Sequence, residues 1–203
     1  MLPGTLVSEK TGYHHGDLRA HLVAAVRELV EEKGFDGFSI AEACRRAGVS
    51  SAAPYKHFKD KQEILVAVAV DGLFRLGDRM EAEAAKVADD GLARVTAMGR
   101  AYVGFARDEP GVFRLTFGQV DTEDKREMMR AVGCDTFGIL QRAVADCLAT
   151  TQDDPVCQFR SYMLWSFVHG HASLSMDGKA EISEAPLEED RLLAEISRRV
   201  LLG

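Results

Sequence analysis

No uninterrupted apolar run in the sequence is longer than the stretch from Ile64 to Val70, far short of the roughly 20 residues a bilayer span requires. The first residues also lack the basic-then-apolar pattern of an export signal. Together these absences predict a soluble, cytoplasmic chain with no membrane partner. Cysteine is sparse: Cys44, Cys134, Cys147 and Cys157 include no Cys-x-x-Cys pair, so nothing suggests a zinc ribbon or a paired redox motif. Cys147 and Cys157 flank one predicted helix break, yet free cysteines usually act as small buried hydrophobes. Five prolines and 18 glycines in 203 residues are too few for a collagen-like or low-complexity chain. There is no nucleophile paired with a base, no carboxylate dyad and no phosphate loop, so an enzyme with His169 as general base has little to stand on. No segment reads as a convincing strand.

What is present is ordinary globular material, 46% hydrophobic and 28% charged, long enough to bury a sizeable core. The net charge of −7 argues against a nucleic-acid partner, because phosphates attract Lys and Arg. The average conceals an asymmetry. Residues 1–61 hold nine Lys and Arg against eight Asp and Glu, whereas residues 62–203 hold 16 against 24. Between Ser39 and Lys61 five basic residues face only Glu42 and Asp60, the local cationic patch that a nucleic-acid contact needs.

The punctuation predicts an all-α protein. Residues 1–16 read as a flexible arm, and Asp17 as the cap of a helix whose Leu22, Val26, Leu29 and Val30 recur at helical spacing and which stops at Gly34. Ser39 with Glu42 forms a Ser-x-x-Glu capping box for a second helix, which Gly48 ends. Ser50 then opens a third short helix running through Tyr55 and Phe58, and Asp60 with Glu63 caps a long fourth one. Further helices are expected from about Leu92 to Asp108, Gly111 to Phe117, Thr122 to Thr150, Pro155 to Ser175 and Glu188 to Leu202. Gly133 and Gly138, each costing a helix interior about 1 kcal/mol, suggest a bend or split between Thr122 and Thr150. The domain boundary is placed inside the fourth helix, giving a first domain over 17–77 and a second domain over 78–203.

Two short helices around a glycine turn are the layout of a helix-turn-helix, whose second helix enters the major groove. The run Ala47-Gly48-Val49-Ser50, then Tyr55-x-His57-Phe58, then Lys61, resembles the N-terminal domain of tetracycline-repressor (TetR) family regulators over about Asp17 to Leu73. Two positions depart from that pattern: Ala43-Cys44 stands where a bulky aliphatic and an alanine are usual, and Pro54 where an apolar residue such as leucine is usual. The resemblance implies that Tyr55, His57 and Lys61 bind phosphates, with Ser39 and Ser50 adding contacts at helix N-termini. Ser51, Ala52 and Ala53 then face base edges and Lys56 can reach guanine; Arg45 and Arg46 belong to the same basic patch. The partner implied is a double-stranded, palindromic DNA operator, and no cofactor is implied.

For the acidic second domain the resemblance implies ligand binding and dimerisation, with Trp165 and His169-Gly170 similar to the Trp…His-Gly signature of one TetR subgroup. Trp165 and His169 share a helix face, and with Tyr102, Phe105, Phe117 and Phe137 they are the candidate wall of a cavity for a small apolar or aromatic effector. Any one of these aromatics can equally be plain core. His169 and His171 lie about 200° apart around a helix, so they cannot chelate one metal ion, and none is expected. Tyr162 and the stripe Leu192, Leu193, Ile196 and Val200 are the candidate homodimer surface. The expectation is a DNA-binding transcriptional regulator, a repressor released by its effector. The rival is a helical protein-interaction module without DNA binding.

Overall fold

A computed structural model describes residues 15–87, 90–118, 123–182 and 188–203, with backbone alone for 15–17, 123–125, 181 and 182. The expected arm lies almost wholly outside the described residues. Helix α1 spans His15–Lys33. It therefore begins two residues before Asp17, which sits inside its first turn and not at its cap. Leu22, Val26, Leu29 and Val30 are buried along one stripe, and the helix ends where Gly34 takes φ 75° and donates its N–H to Val30 O at 2.9 Å. That left-handed conformation suits glycine.

Helix α2 spans Ile40–Ala47. Ser39 Oγ accepts from Glu42 N at 3.2 Å, but the second half of the expected capping box is absent, because the Glu42 carboxylate pairs with Lys33 of α1 instead. Gly48, at φ 69°, closes the helix. The third helix expected from Ser50 is not α-helical: residues 51 and 52 turn and only Pro54–Lys56 coil, as a 3₁₀ turn. Pro54 is the reason. It has no N–H to give Ser50 O, which accepts from Ala53 N at 3.0 Å in a tighter turn, so the i to i−4 bond expected there is missing and one forms only later, from Phe58 N to Pro54 O at 2.9 Å.

Helix α3, Lys61–Ala85, opens where Asp60 accepts from Glu63 N at 2.8 Å. The Glu63 carboxylate reaches past Asp60 to Lys59 N at 2.6 Å. At 25 residues, α3 runs from the α1–α2 unit into the rest of the chain. It packs against α4 (Gly91–Asp108), α5 (Pro110–Phe117) and α6 (Glu123–Leu148). Helices α7 (Pro155–Met176) and α8 (Glu189–Leu202) close the bundle against α4. The expected split of the Thr122–Thr150 stretch does not occur: α6 is one helix of 26 residues. Packing against α3, α4 and α7 outweighs the cost of Gly133 and Gly138. One continuous apolar core joins α1 to α8, and among the described residues no helix is long and apolar enough to cross a membrane.

Candidate DNA-contact surface and effector cavity

Around the first three helical elements the basic residues divide into two groups. Arg45 and Lys56 are exposed, as are Ser39, Ser50, Ser51 and Ala52, and Tyr55 is 62% exposed. Those side chains can meet a phosphate or a base without first leaving a partner in the core. Arg46 and Lys61 are engaged elsewhere. Arg46 makes a two-pronged pair with Glu32 of α1, at 2.6 and 2.7 Å, and its guanidinium holds the Glu32 carboxyl below its ordinary range. Lys61 Nζ donates to Phe38 O at 2.8 Å and lies 4.2 Å from the Phe38 ring centre, fastening the α1–α2 loop to the start of α3. His57 and Ala53 are half-buried, and His57 Nε2 is buried without a hydrogen-bond partner. Pro54 and Phe58 are buried, anchoring the 3₁₀ turn so that Tyr55 projects outward.

The second half of the chain encloses a cavity of about 790 Å³ between α3, α4, α5, α6 and α7, within the roughly 300–1,000 Å³ usual for small-molecule sites. Tyr102, Phe117, Phe137 and Trp165 lie on its wall, among Leu73, Leu76, Met80, Met98 and Leu140. Phe105 and His169 do not. Phe105 is core, beneath the Arg75 guanidinium and 1% exposed. His169 stands behind the wall, stacked on Phe113 at 5.4 Å between ring centres, with its Nδ1 2.9 Å from Tyr102 Oη. Burial pushes the Tyr102 phenol far above its ordinary range and the His169 imidazole below its own. The phenol therefore stays protonated, and it shares one hydrogen bond with the His169 imidazole.

This buried pair has a pH signature. The folded protein holds His169 neutral more strongly than the unfolded chain does. Its contribution to stability is complete above the unfolded value near 6.5 and is lost as pH falls through the lowered folded value. The thermal midpoint of the wild type should drop between pH 7.5 and pH 5 by more than that of His169→Gln. Equal drops in the two proteins would show that this imidazole is not the group responsible.

Sequence reading missed two features of this region. Arg126 and Arg130 of α6 stand on the cavity wall; charged side chains near a helix start look like a solvated face. Glu31 of α1 reaches the start of α5, its two carboxylate oxygens accepting from Gly111 N at 2.9 Å and Val112 N at 2.7 Å. No local signal connects residues so far apart in the chain. The candidate dimer stripe also divides. Leu193 and Val200 are buried within the chain itself because α8 turns them towards α4 and α7, while Leu192 and Ile196 are half-buried. Large apolar side chains are exposed instead on α7, at Val156, Phe159, Tyr162 and Met163.

Comparison with known proteins agrees with this division of the chain. Residues 22–68 match the family described as bacterial regulatory proteins, tetR family, and residues 95–199, just over half the chain, match the tetracyclin repressor-like C-terminal domain. The chain belongs to the TetR family. It is 30% identical over 105 residues to YobS, an uncharacterized HTH-type transcriptional regulator of Bacillus subtilis, a match covering 52% of this chain and 53% of YobS. The chain spans about half the length of the curated relatives it matches. Among solved structures, a protein of unknown function from Rhodococcus sp. RHA1 superposes with a TM-score of 0.78 at 28% identity, covering 95% of this chain and 97% of that one. FadR of Bacillus subtilis, in complex with stearoyl-CoA, shares the fold with a TM-score of 0.70 at 13% identity, covering 91% and 98%.

Proposed function

We propose that this TetR-family chain is a homodimeric repressor, with its DNA-binding domain over 17–77 and its ligand-binding and dimerisation domain over 78–203. A small apolar or aromatic molecule enters the α3–α7 cavity and releases a palindromic operator. One observation carries this reading: α5 lines the cavity at its C-terminal end, through Thr116 and Phe117, and is fastened to α1 at its N-terminal end by Glu31. A ligand that displaces Phe117 therefore works on the element that carries the helix-turn-helix. To favour release it must bind the DNA-incompetent arrangement more tightly than the competent one. The Trp165…His169-Gly170 signature lies inside the matched C-terminal domain, which supports membership of the subgroup that carries it. The exposed apolar face of α7, flanked by Leu192, Ile196 and the 65% exposed Leu202 of α8, is the surface proposed to meet a second copy, since two half-sites about 34 Å apart call for two recognition elements.

The test is fluorescence anisotropy of the full chain on the DNA upstream of its own gene, across a salt series and against unrelated competitor duplex. Competitor-resistant binding as a dimer, reversed by an apolar compound, is the expected result. Sequence-blind binding at every salt, or release by none of a broad panel, would sink the repressor reading. Within the same assay, Tyr55→Ala should weaken binding to operator and unrelated duplex alike by about tenfold, since a phosphate contact positions without reading sequence. An unchanged affinity would instead favour an interaction module without DNA binding.

A further inference from the structure

Among the described residues the cavity wall is apolar in most places but not in all, and its charged side chains are of one sign. Arg126 and Arg130 line it, and among the described lining residues there is no aspartate or glutamate. The two arginines are four apart on α6, so they share a face of that helix. The same face continues through Gly133 and Phe137 to Leu140, all of them on the wall. From Arg126 to Leu140 the helix advances about 21 Å at 1.5 Å per residue, so the cavity has a cationic end and an apolar end separated along α6. Nothing stands within 4 Å of the position a Cβ would take on Gly133, which leaves the path between the ends open. Both arginines are exposed, so they incur no burial cost while the cavity is unliganded.

From this arrangement, and resting on the reading of the cavity as the effector site, we propose that the effector is an anionic amphiphile. Its single apolar chain lies along α6 towards Leu140, and its carboxylate or phosphate head is held by Arg126 and Arg130. A guanidinium matches either head with paired N–H donors. A neutral chain of the same length fills the apolar end but offers the arginines no charge, and a cationic one meets like charge. The ranking of ligands is therefore anion over neutral over cation.

Trp165 is the chain's one tryptophan and lies on the cavity wall, so its fluorescence follows occupancy. The full chain is titrated with dodecanoate, dodecyl phosphate, dodecanol and dodecyltrimethylammonium below their aggregation thresholds. Both anions should bind at least about tenfold more tightly than the alcohol, and the margin should shrink as salt is raised. Comparing carboxylate with phosphate identifies which head the arginines prefer. In R126A/R130A the anions should fall to the affinity of the alcohol while the alcohol itself is unchanged. Gly133→Leu, which fills the open path, should weaken all four. If the alcohol binds the wild type as tightly as the anions do, or if the anion preference survives R126A/R130A, the anionic head is refuted and the effector cavity stands. If none of the four changes Trp165 fluorescence while apolar compounds still release the DNA, the cavity reading fails and the amphiphile fails with it.

Discussion

Replacing Glu31 with alanine is expected to leave the effector cavity able to bind its ligand while largely abolishing release of DNA. The reason lies in how α5 begins. Its first residue, Pro110, has no N–H to satisfy, and the residue at its cap, Glu109, provides no side-chain cap of its own. The next two N–H groups, of Gly111 and Val112, are both satisfied by the part-buried carboxylate of Glu31. A carboxylate at a helix N-terminus also faces the positive end of the helix dipole. Hydrogen bonds to a charged group are worth about 1.5–3 kcal/mol each, and the two share one carboxylate, so the loss in E31A should be about 2 kcal/mol of unfolding free energy by urea titration. Glu31→Gln keeps one acceptor oxygen and should fall between E31A and wild type.

The functional consequence is larger than the stability one. Helix α5 has eight residues and is about 12 Å long. It is short and stiff enough that movement of Phe117 at the cavity is felt at Gly111. With Glu31 removed, that movement ends at the α1–α5 junction and does not turn α1. Ligand affinity measured through Trp165 should change by less than about threefold, while the ligand concentration needed to release DNA should rise at least about tenfold, a coupling of ordinary size. Coupling free energy is reciprocal, so operator DNA should also cease to weaken ligand binding in E31A. An E31A protein that still releases DNA at the wild-type ligand concentration would place the coupling in another contact. The ion pairs Arg75–Glu109 and Arg79–Asp108 across the α3–α4 junction would then be the next to remove.

The parts of this arrangement that sequence reveals are those decided locally. Ser39 and Asp60 each accept a backbone N–H at a helix start, and short polar side chains before an apolar stripe announce such starts. Gly34 and Gly48 mark helix ends because both take left-handed backbone. The cavity aromatics Tyr102, Phe117, Phe137 and Trp165 were legible as large apolar residues on several helices. Phe105 and His169 belong to the same apolar pattern but face away from the space, and periodicity cannot tell a wall from the layer behind it. The stripe on α8 fails for a related reason. A helix buried within its own chain and a helix buried by a second copy carry the same spacing, and Leu193 and Val200 prove to be of the first kind. Pro54 was visible as a departure from the family pattern, but whether one missing N–H turns the segment into a 3₁₀ turn depends on how short that segment is. Glu31, Arg126 and Arg130 depend on contacts between distant segments, for which a charge in one sequence carries no mark.

The strongest single test of the α1–α5 junction is a methyl group. Gly111→Ala should destabilise the protein by about 2–3 kcal/mol, the upper part of the range for forcing extra atoms into a packed site. A Cβ built on Gly111 would lie 2.7 Å from Val30 O and 3.1 Å from Glu31 Cα. Both are backbone atoms of α1, so no side-chain rotation can make room. Either α5 lifts off α1 or the last turns of α1 bend, and both responses lengthen the Glu31 hydrogen bonds. Gly72→Ala provides a second close approach, 2.6 Å from Val112 Cγ1. Its obstacle is the fully buried side chain of the residue after Gly111, about 100° further round α5, so it should cost about 1–2 kcal/mol. Gly133→Ala, with open space around it, should instead gain roughly 0.5–1 kcal/mol, because alanine is the better helix former. Urea midpoints for the three variants should therefore order as Gly133→Ala above wild type, then Gly72→Ala, then Gly111→Ala. Of the two destabilised proteins, Gly111→Ala should lose more of its DNA response to ligand than its stability loss explains. A Gly111→Ala protein with wild-type stability would mean that α1 and α5 do not approach as closely in solution, and the strut between cavity and helix-turn-helix would have to be sought along α3.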